Sequence, residues 1–430
     1  MYDVIVAGAG VAGCIVASLL AKKGFKVCLI DAKRAEDVGN KVCGDALISR
    51  GLDLLGFEPP MDVITNVASA LHFHALGIKP IKLKTRIFLL DRLRFGQYLL
   101  HNAIENGSIF LDKCRAFAPI LDGDKVIGIK AKINDSEVEF HAKVVIDASG
   151  INGVIRRKLP KDWWVSKSIE GYNLALCYRE IRKLKRSHIN TEYCEVFYDR
   201  KVVPSGYYWV FPKKDDIVNV GIGARIATIN YDIRERLYKH VLINPIFDES
   251  EIFAHGFGIV PINPPLNCFT ASGFIVIGDA AGQVNPFIGE GIRPSIISAY
   301  IAAEIIAKSK GFEQDDLWSY NTDFMKKLGM KHAMFAALSS FFEKLDYEKV
   351  KSLLSVFEGG TYNFGDFEDF NISLLLTLRA SLKGFKQLKS ILKEISIINS
   401  VHSIYREYPD SPKNFLEWLD RVKRFWKGYH

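Results

Sequence analysis

The apolar positions near the N-terminus change their period twice before Asp31. Tyr2 to Ala7 is an apolar run that predicts a strand, Gly8 to Gly13 turns, and Ile15 to Lys23 carries apolar residues at helical spacing until Gly24 ends it. Lys26 to Ile30 reads as a second strand, so a strand, helix, strand unit is expected. Strand-like segments recur at Lys143 to Asp147 and Phe274 to Ile277. Each ends in small or acidic residues, as where a parallel sheet presents strand ends to a ligand. One parallel-sheet domain is therefore expected from dispersed pieces, 1–55, 91–160 and 265–314. Residues 56–90 and 161–264 alternate in short segments, such as Tyr207 to Phe211 and Ile217 to Ile222, which predicts an antiparallel sheet over the ligand. From Asp315 the spacing becomes that of amphipathic helices, broken at Gly359, Gly360 and Pro409 to Pro412, which predicts a helical C-terminal region over 315–430. The expected fold class is α/β: a doubly wound parallel-sheet domain, an antiparallel-sheet substrate domain and a helical C-terminal region.

Composition narrows the setting. A chain of 430 residues, 48% hydrophobic, buries a large core, and its net charge of +8 suits nucleic acid, an anionic membrane surface or a basic soluble protein. No recognisable nucleic-acid module is present, so that partner is not expected. No apolar run reaches membrane-spanning length and the first strand starts beside Met1, which predicts a cytoplasmic protein, at most peripheral on the inner face of the cell membrane. The seven cysteines lack CxxC or zinc-like spacing, so neither a metal nor a disulfide framework is expected; few glutamines with many Lys and Ile lean toward a thermophile, where a Cys177 to Cys194 bridge is conceivable.

The turn Gly8-Ala9-Gly10-Val11-Ala12-Gly13 lies between a strand and a helix. Its missing side chains permit a sharp bend, approach of a pyrophosphate and close helix packing. Asp31, at the end of the second strand, is placed to accept from a ribose hydroxyl. NAD and FAD suit this unit equally.

The segment Gly278-Asp279-Ala280-Ala281-Gly282 through Gly289-Glu290-Gly291-Ile292 separates them. It resembles the second FAD motif of glutathione-reductase-like flavoproteins, in the branch of aromatic hydroxylases and geranylgeranyl reductases. The resemblance implies FAD, with Asp279 near the ribityl or pyrophosphate region and Gly289, Gly291 and Ile292 bringing a helix N-terminus to the flavin, where its N–H groups favour negative charge. Asp147-Ala148-Ser149-Gly150 and Arg156-Arg157 resemble a flanking segment of that branch, with Ser149 where hydroxylases carry Asp. The resemblance further implies that Arg92 approaches FAD at a helix start and that the strand backbone at Ala116 meets the adenine.

Nearly the whole chain is similar to the geranylgeranyl reductase family, particularly its archaeal members. The matching segments are Lys41-Val42-Cys43-Gly44-Asp45-Ala46, with Val42 where relatives often have Pro, Tyr207-Tyr208-Trp209-Val210-Phe211-Pro212 with Gly221-Ile222-Gly223, and Tyr408-Pro409-Asp410-Ser411-Pro412. The family implies that Cys43, Gly44 and Ala46 lie beside the flavin. It also implies an isoprenoid lipid substrate and an external electron donor, ferredoxin or NAD(P)H.

Tyr207, Trp209 and Phe211 share one strand face, which suits an isoprenoid tunnel or ordinary sheet core. Cys43 either supplies the proton that alkene saturation needs or only packs on the flavin; Asp45 assists it or caps a helix. Residues 371–430 hold 11 Lys plus Arg against 5 Asp plus Glu, interleaved with Leu374-Leu375-Leu376 and Arg424-Phe425-Trp426, as in helices that meet anionic lipid or in a solvated exterior. The expected function is FAD-dependent reduction of geranylgeranyl chains on archaeal glycerophospholipids, with a quinone's prenyl tail as another substrate. A flavin-dependent monooxygenase or halogenase is one alternative, and a non-catalytic flavin-containing lipid-binding protein is another.

Overall fold

In the computed structural model, which describes all residues except 76, 170, 186–188, 215, 370–387 and 430, strand β1 (Tyr2–Ala7) enters α1 (Val11–Lys22) and returns as β2 (Val27–Ile30). β1 and β2 are parallel, with Val4 opposite Val27 and Ala7 opposite Ile30. β3 (Ala46–Ile48), β4 (Ile64–Ala75) and β5 (Ile81–Leu90) start a second sheet, and α2 (Arg92–Glu105) brings the chain back to the first at β6 (Ile109–Leu111). β7 (Cys114–Asp122), β8 (Lys125–Ile133) and β9 (Ser136–Asp147) form a meander whose last strand pairs in parallel with β1.

The second sheet continues with β10 (Leu174–Lys183), β11 (Tyr193–Tyr198), β12 (Gly206–Pro212), β13 (Ile217–Arg225), the short helix α3 (Ile233–His240) and β14 (Glu251–Pro261). β15 (Thr270–Ala271) and β16 (Phe274–Val276) rejoin the first sheet, followed by α4 (Ile292–Lys308), α5 (Gln314–Phe324), α6 (Met330–Lys344) and α7 (Tyr347–Leu354). β17 (Thr361–Asn363), α8 (Phe364–Glu368), α9 (Leu388–Arg406) and α10 (Phe415–Tyr429) complete the described elements.

The first sheet runs β15-β16-β9-β1-β2-β6 and the second β14-β10-β13-β12-β11-β4-β5-β17, with β3 on β5. The second sheet departs from a purely antiparallel one, because β4 joins β11 and β5 joins β17 in parallel. A parallel join needs a long connection, and such long-range partners leave no local pattern. β17 also interrupts the helical C-terminal region; three residues are too few to carry a period.

Close backbone approach explains the glycines of the first turn. A Cβ on Gly13 would stand 1.8 Å from the Gly8 carbonyl oxygen, and one on Gly8, whose φ is +111°, would stand 2.5 Å from that of Ala148. Helix, turn and the end of β9 therefore interlock only without side chains. Cys177 and Cys194 are both free. They lie on β10 and β11, which β13 and β12 separate, and at roughly 4.8 Å per strand that span exceeds the reach of a disulfide.

The amphipathic α10 spends its apolar face on the core. Phe415, Trp418, Leu419 and Val422 are buried, Phe425 and Trp426 pack against them, and Lys423, Arg424 and Lys427 face solvent. Leu374, Leu375 and Leu376 lie outside the described residues. Among those described, no helix is long and apolar enough to cross a membrane.

The fully buried carboxylate of Asp147, at the end of β9, accepts from Ser149 N–H at 3.1 Å and Ser149 Oγ at 2.5 Å on one oxygen, and from Ile155 N–H at 3.0 Å and Arg156 N–H at 2.8 Å on the other. It thereby folds the 149–156 loop back over the strand end. Asp147→Ala leaves those donors without partners and is expected to cost about 3 kcal/mol or more, read as a lowered midpoint in urea unfolding; a change below about 0.5 kcal/mol would show that the loop closes without the carboxylate.

Candidate active site

One cavity of about 500 Å³ passes from the first sheet to the second. At one end it is walled by Ala9, Gly10, Asp31, Arg92, Gly150 and Asp279, at the other by Leu71, Phe73, Val196, Phe357 and Phe367. Its two ends differ in chemistry because they are built by different sheets.

The first end is fitted for an anionic dinucleotide. A Cβ on Gly10 would meet nothing within 4 Å, so the turn leaves open space above α1. Asp31 accepts from Ala9 N–H at 2.7 Å and Lys33 N–H at 2.8 Å, which fixes its carboxylate at the lip of that space. Arg92, the first residue of α2, is nine-tenths buried, and neither its Nε nor one of its terminal nitrogens has a hydrogen-bond partner among the described residues. A buried cation without a counter-charge is costly, and a phosphate at the cavity's edge would supply the missing acceptor. Lys41 reaches across to Asp279 at 2.7 Å, and the Asp279 carboxylate raises the Lys41 ammonium above its usual range. The first turn of α4 follows Gly291 without a side-chain cap, and Gly291, Ile292 and Ser295 line the cavity there.

At the joint of the two ends runs the segment from Lys41 to Ala46. Asn219 donates to the Cys43 carbonyl oxygen at 2.9 Å and Arg179 at 3.3 Å. Asp45, at φ 63° and 1% exposed, accepts from Lys213 Nζ at 2.7 Å and Asn219 at 3.0 Å on one oxygen, while its Oδ1 has no partner among the described residues. It caps no helix, contrary to one reading of the sequence; it precedes β3.

Tyr207, Trp209 and Phe211 all line the cavity from β12. Trp209 Nε1 donates to Asn219 at 3.0 Å and Tyr207 Oη to the Ile288 carbonyl at 2.6 Å, so their polar atoms are satisfied while their rings face the channel. Burial, with Cys177 and Cys43 beside it, pushes the Tyr207 phenol well above its usual range. Burial likewise pushes the Cys177 thiol up to about 12. A Cβ on Gly221 would lie 2.2 Å from the Trp209 ring, so the glycine is what lets the indole lie flat on β13.

The geranylgeranyl reductase catalytic domain model matches residues 173–260, and a glucose inhibited division protein A model matches residues 3–61. The chain is 28% identical to the digeranylgeranylglycerophospholipid reductase of Sulfolobus acidocaldarius, over 98% of this chain and 96% of that protein. A geranylgeranyl bacteriochlorophyll reductase-like protein from Thermoplasma acidophilum shares the fold, with a TM-score of 0.80 and 22% identity over 92% of this chain and 99% of that one. A variant of the halogenase PltM in complex with FAD has a TM-score of 0.60 at 14% identity, covering 100% of this chain and 96% of that one.

Of the residues singled out in the sequence, Gly10, Asp31, Cys43, Gly44, Ala46, Arg92, Asp279, Gly289, Gly291 and Ile292 line this cavity together with the three aromatics. Gly8 and Gly13 lie behind the wall, where they let backbones meet. Ala116, on β7, is outside the lining residues. Lys213, Asn219 and Arg179, which hold the Cys43 segment, had no local signal, since their partners lie 136 to 176 positions away. Apolar wall residues Leu71, Phe73 and Val196 looked like any strand core.

Because Arg92 is buried without a partner, Arg92→Met is expected to stabilise the flavin-free protein slightly while weakening flavin retention by about 2 kcal/mol, roughly thirtyfold. Thermal melts of the apoprotein and fluorescence titration with FAD check the two signs; equal loss in both would make Arg92 a folding residue only.

Proposed function

We propose that this chain is an FAD-dependent reductase that saturates double bonds of geranylgeranyl chains carried on glycerophospholipids. The observation that supports this most is the continuity of one cavity, from an anion-fitted glycine turn to an apolar channel long enough to be walled by two sheets and the C-terminal helices. Gly10, Asp31, Arg92, Asp279 and the start of α4 are the residues that would hold the dinucleotide. When bound and reduced, FAD supplies hydride to one alkene carbon.

The chain's own residues have three tasks. Tyr207, Trp209 and Phe211, with Leu71, Phe73 and Val196 opposite, guide an isoprenoid chain and exclude water, which an unactivated alkene requires. The second alkene carbon needs a proton. Tyr207 keeps its proton, being buried and committed to the Ile288 carbonyl. The half-buried Cys43 thiol, fixed through its carbonyl by Asn219 and Arg179, is the donor we assign, and the thiolate it leaves takes its next proton from solvent.

An external donor must reload the flavin, and anaerobic bleaching of the flavin band by either ferredoxin or NAD(P)H decides which. We further place peripheral membrane contact on the edge strand β14 rather than on α10. Phe257 and Ile259 alternate along it, 55% and 41% exposed, Phe253 at its bulge is 58% exposed, and the same strand lends Gly258 and Val260 to the cavity wall.

The fold is shared with halogenases, so product identity is the decisive measurement. Reduced enzyme incubated anaerobically with unsaturated prenyl glycerophospholipid is expected to yield lipid heavier by two hydrogens per double bond; an oxygenated or halogenated product under air would favour the halogenase-type chemistry, and no flavin reoxidation a carrier. Cys43→Ser is expected to slow that reoxidation roughly 100-fold or more with flavin content unchanged, and full turnover in Cys43→Ala would remove Cys43 from the proton path. Phe253→Ser with Phe257→Ser is expected to lose co-sedimentation with anionic vesicles while keeping flavin; undiminished binding would move the contact elsewhere.

A further inference from the structure

The strand pair β4 and β11 has two faces, and only one belongs to the cavity. Leu71 and Phe73 of β4, with Cys194 and Val196 of β11, line the channel. By alternation His72 and His74 project from the opposite face, as does Glu195, which the parallel register sets directly opposite His72. These three side chains are half-buried, and one nitrogen of each histidine and a carboxylate oxygen of Glu195 all lie within 4.8 Å of one another. His74 Nε2 is already 3.0 Å from Glu195 Oε1.

The rings are held rather than free. His72 stacks on Tyr193 at 3.8 Å and His74 on Phe197 at 4.3 Å, the next residues of β11 on that face in each direction from Glu195. Two imidazoles and one carboxylate converging from neighbouring strands form a borderline N/O donor set. At metal–ligand distances near 2.1 Å, tetrahedral donors stand about 3.4 Å apart, which small side-chain rotations from the observed spread achieve.

We propose that His72, His74 and Glu195 form a binding site for a divalent transition-metal ion, zinc by ligand type, with a fourth position open to water. The site lies outside the cavity and takes no part in alkene reduction. Its ion would join β4 to β11, positions separated by 121 residues in the chain, and so brace the channel wall formed by the other face of the same two strands. The cysteine spacing carried no such signal because the ligands are histidines two apart and a glutamate from a distant strand.

The test uses the flavin-loaded full chain, stripped with chelator and titrated separately with Zn²⁺ and Co²⁺. One equivalent is expected to bind, Co²⁺ giving a ligand-field spectrum without thiolate charge transfer, and Zn²⁺ raising the thermal midpoint. His72→Gln with His74→Gln, and separately Glu195→Gln, are expected to weaken binding roughly 100-fold or more and to abolish the thermal shift, with flavin absorbance unchanged. No binding by the unaltered chain, binding undiminished in the variants, or a thiolate-ligated cobalt spectrum would each overturn the proposal.

Discussion

Asp45 combines a left-handed φ of 63° with 1% exposure and a 2.7 Å contact to the Lys213 ammonium. A non-glycine residue in that backbone region costs on the order of 1–2 kcal/mol, and a buried carboxylate without its partner would cost about 3–5 kcal/mol. Both persist because the surroundings over-determine them. Lys213 also donates to the Leu90 carbonyl at 2.7 Å, and Leu90 N–H donates to the Asp45 carbonyl at 2.9 Å. The segment from Lys41 to Ala46 is thereby clamped between the sheets. Cys43 is set at the joint of the cavity, Lys41 reaches Asp279, and Gly44 lies against Phe211, where a Cβ would come within 3.2 Å of the ring.

A second clamp works from the flavin side. Arg293, buried at the start of α4, pairs with Glu290 at 2.7 Å and with Glu368 of α8, and Glu368 in turn holds Arg50. Lys331 reaches Asp369 at 2.7 Å, beside the same cluster. Buried ion pairs add little net stability over apolar packing, yet breaking one strands a charge. Their effect is therefore positional: the helix start that faces the cofactor end is tied to the C-terminal helices that wall the lipid end. Arg92 stands apart as a buried cation whose Nε and one terminal nitrogen have no partner among the described residues, an arrangement that a bound phosphate would complete.

The strand, turn and helix at the N-terminus were legible because each is fixed by residues adjacent in the chain. Gly8, Gly10 and Gly13 mark a bend whose spacing alone requires missing side chains, and the segment around Asp279 repeats the logic at a second strand end. The aromatic alternation of Tyr207, Trp209 and Phe211 was equally visible, but whether those rings lined a channel or filled a core depended on what lay opposite. In the structure they line the cavity and also pack with Leu71, Phe73 and Val196, from strands whose own sequences read as ordinary core. The apolar face of α10 illustrates the converse: its composition suited a lipid surface, and the fold instead gave it Tyr405, Tyr408 and Trp318 to pack on or around.

By itself, the sequence determined the local chemistry: where the chain must turn without side chains, and which segments carry the thiol, the aromatics and the glycines of the two turn motifs. Only the tertiary structure decided the company those residues keep. The parallel join of β4 to β11, the Asp45–Lys213 clamp, the Arg293–Glu368 pairing and the two-histidine cluster all unite positions far apart in the chain. Hydrogen-bond and charge complementarity act over a few ångströms in space and leave no period along the sequence, so such contacts become visible only once the backbone has brought their partners together.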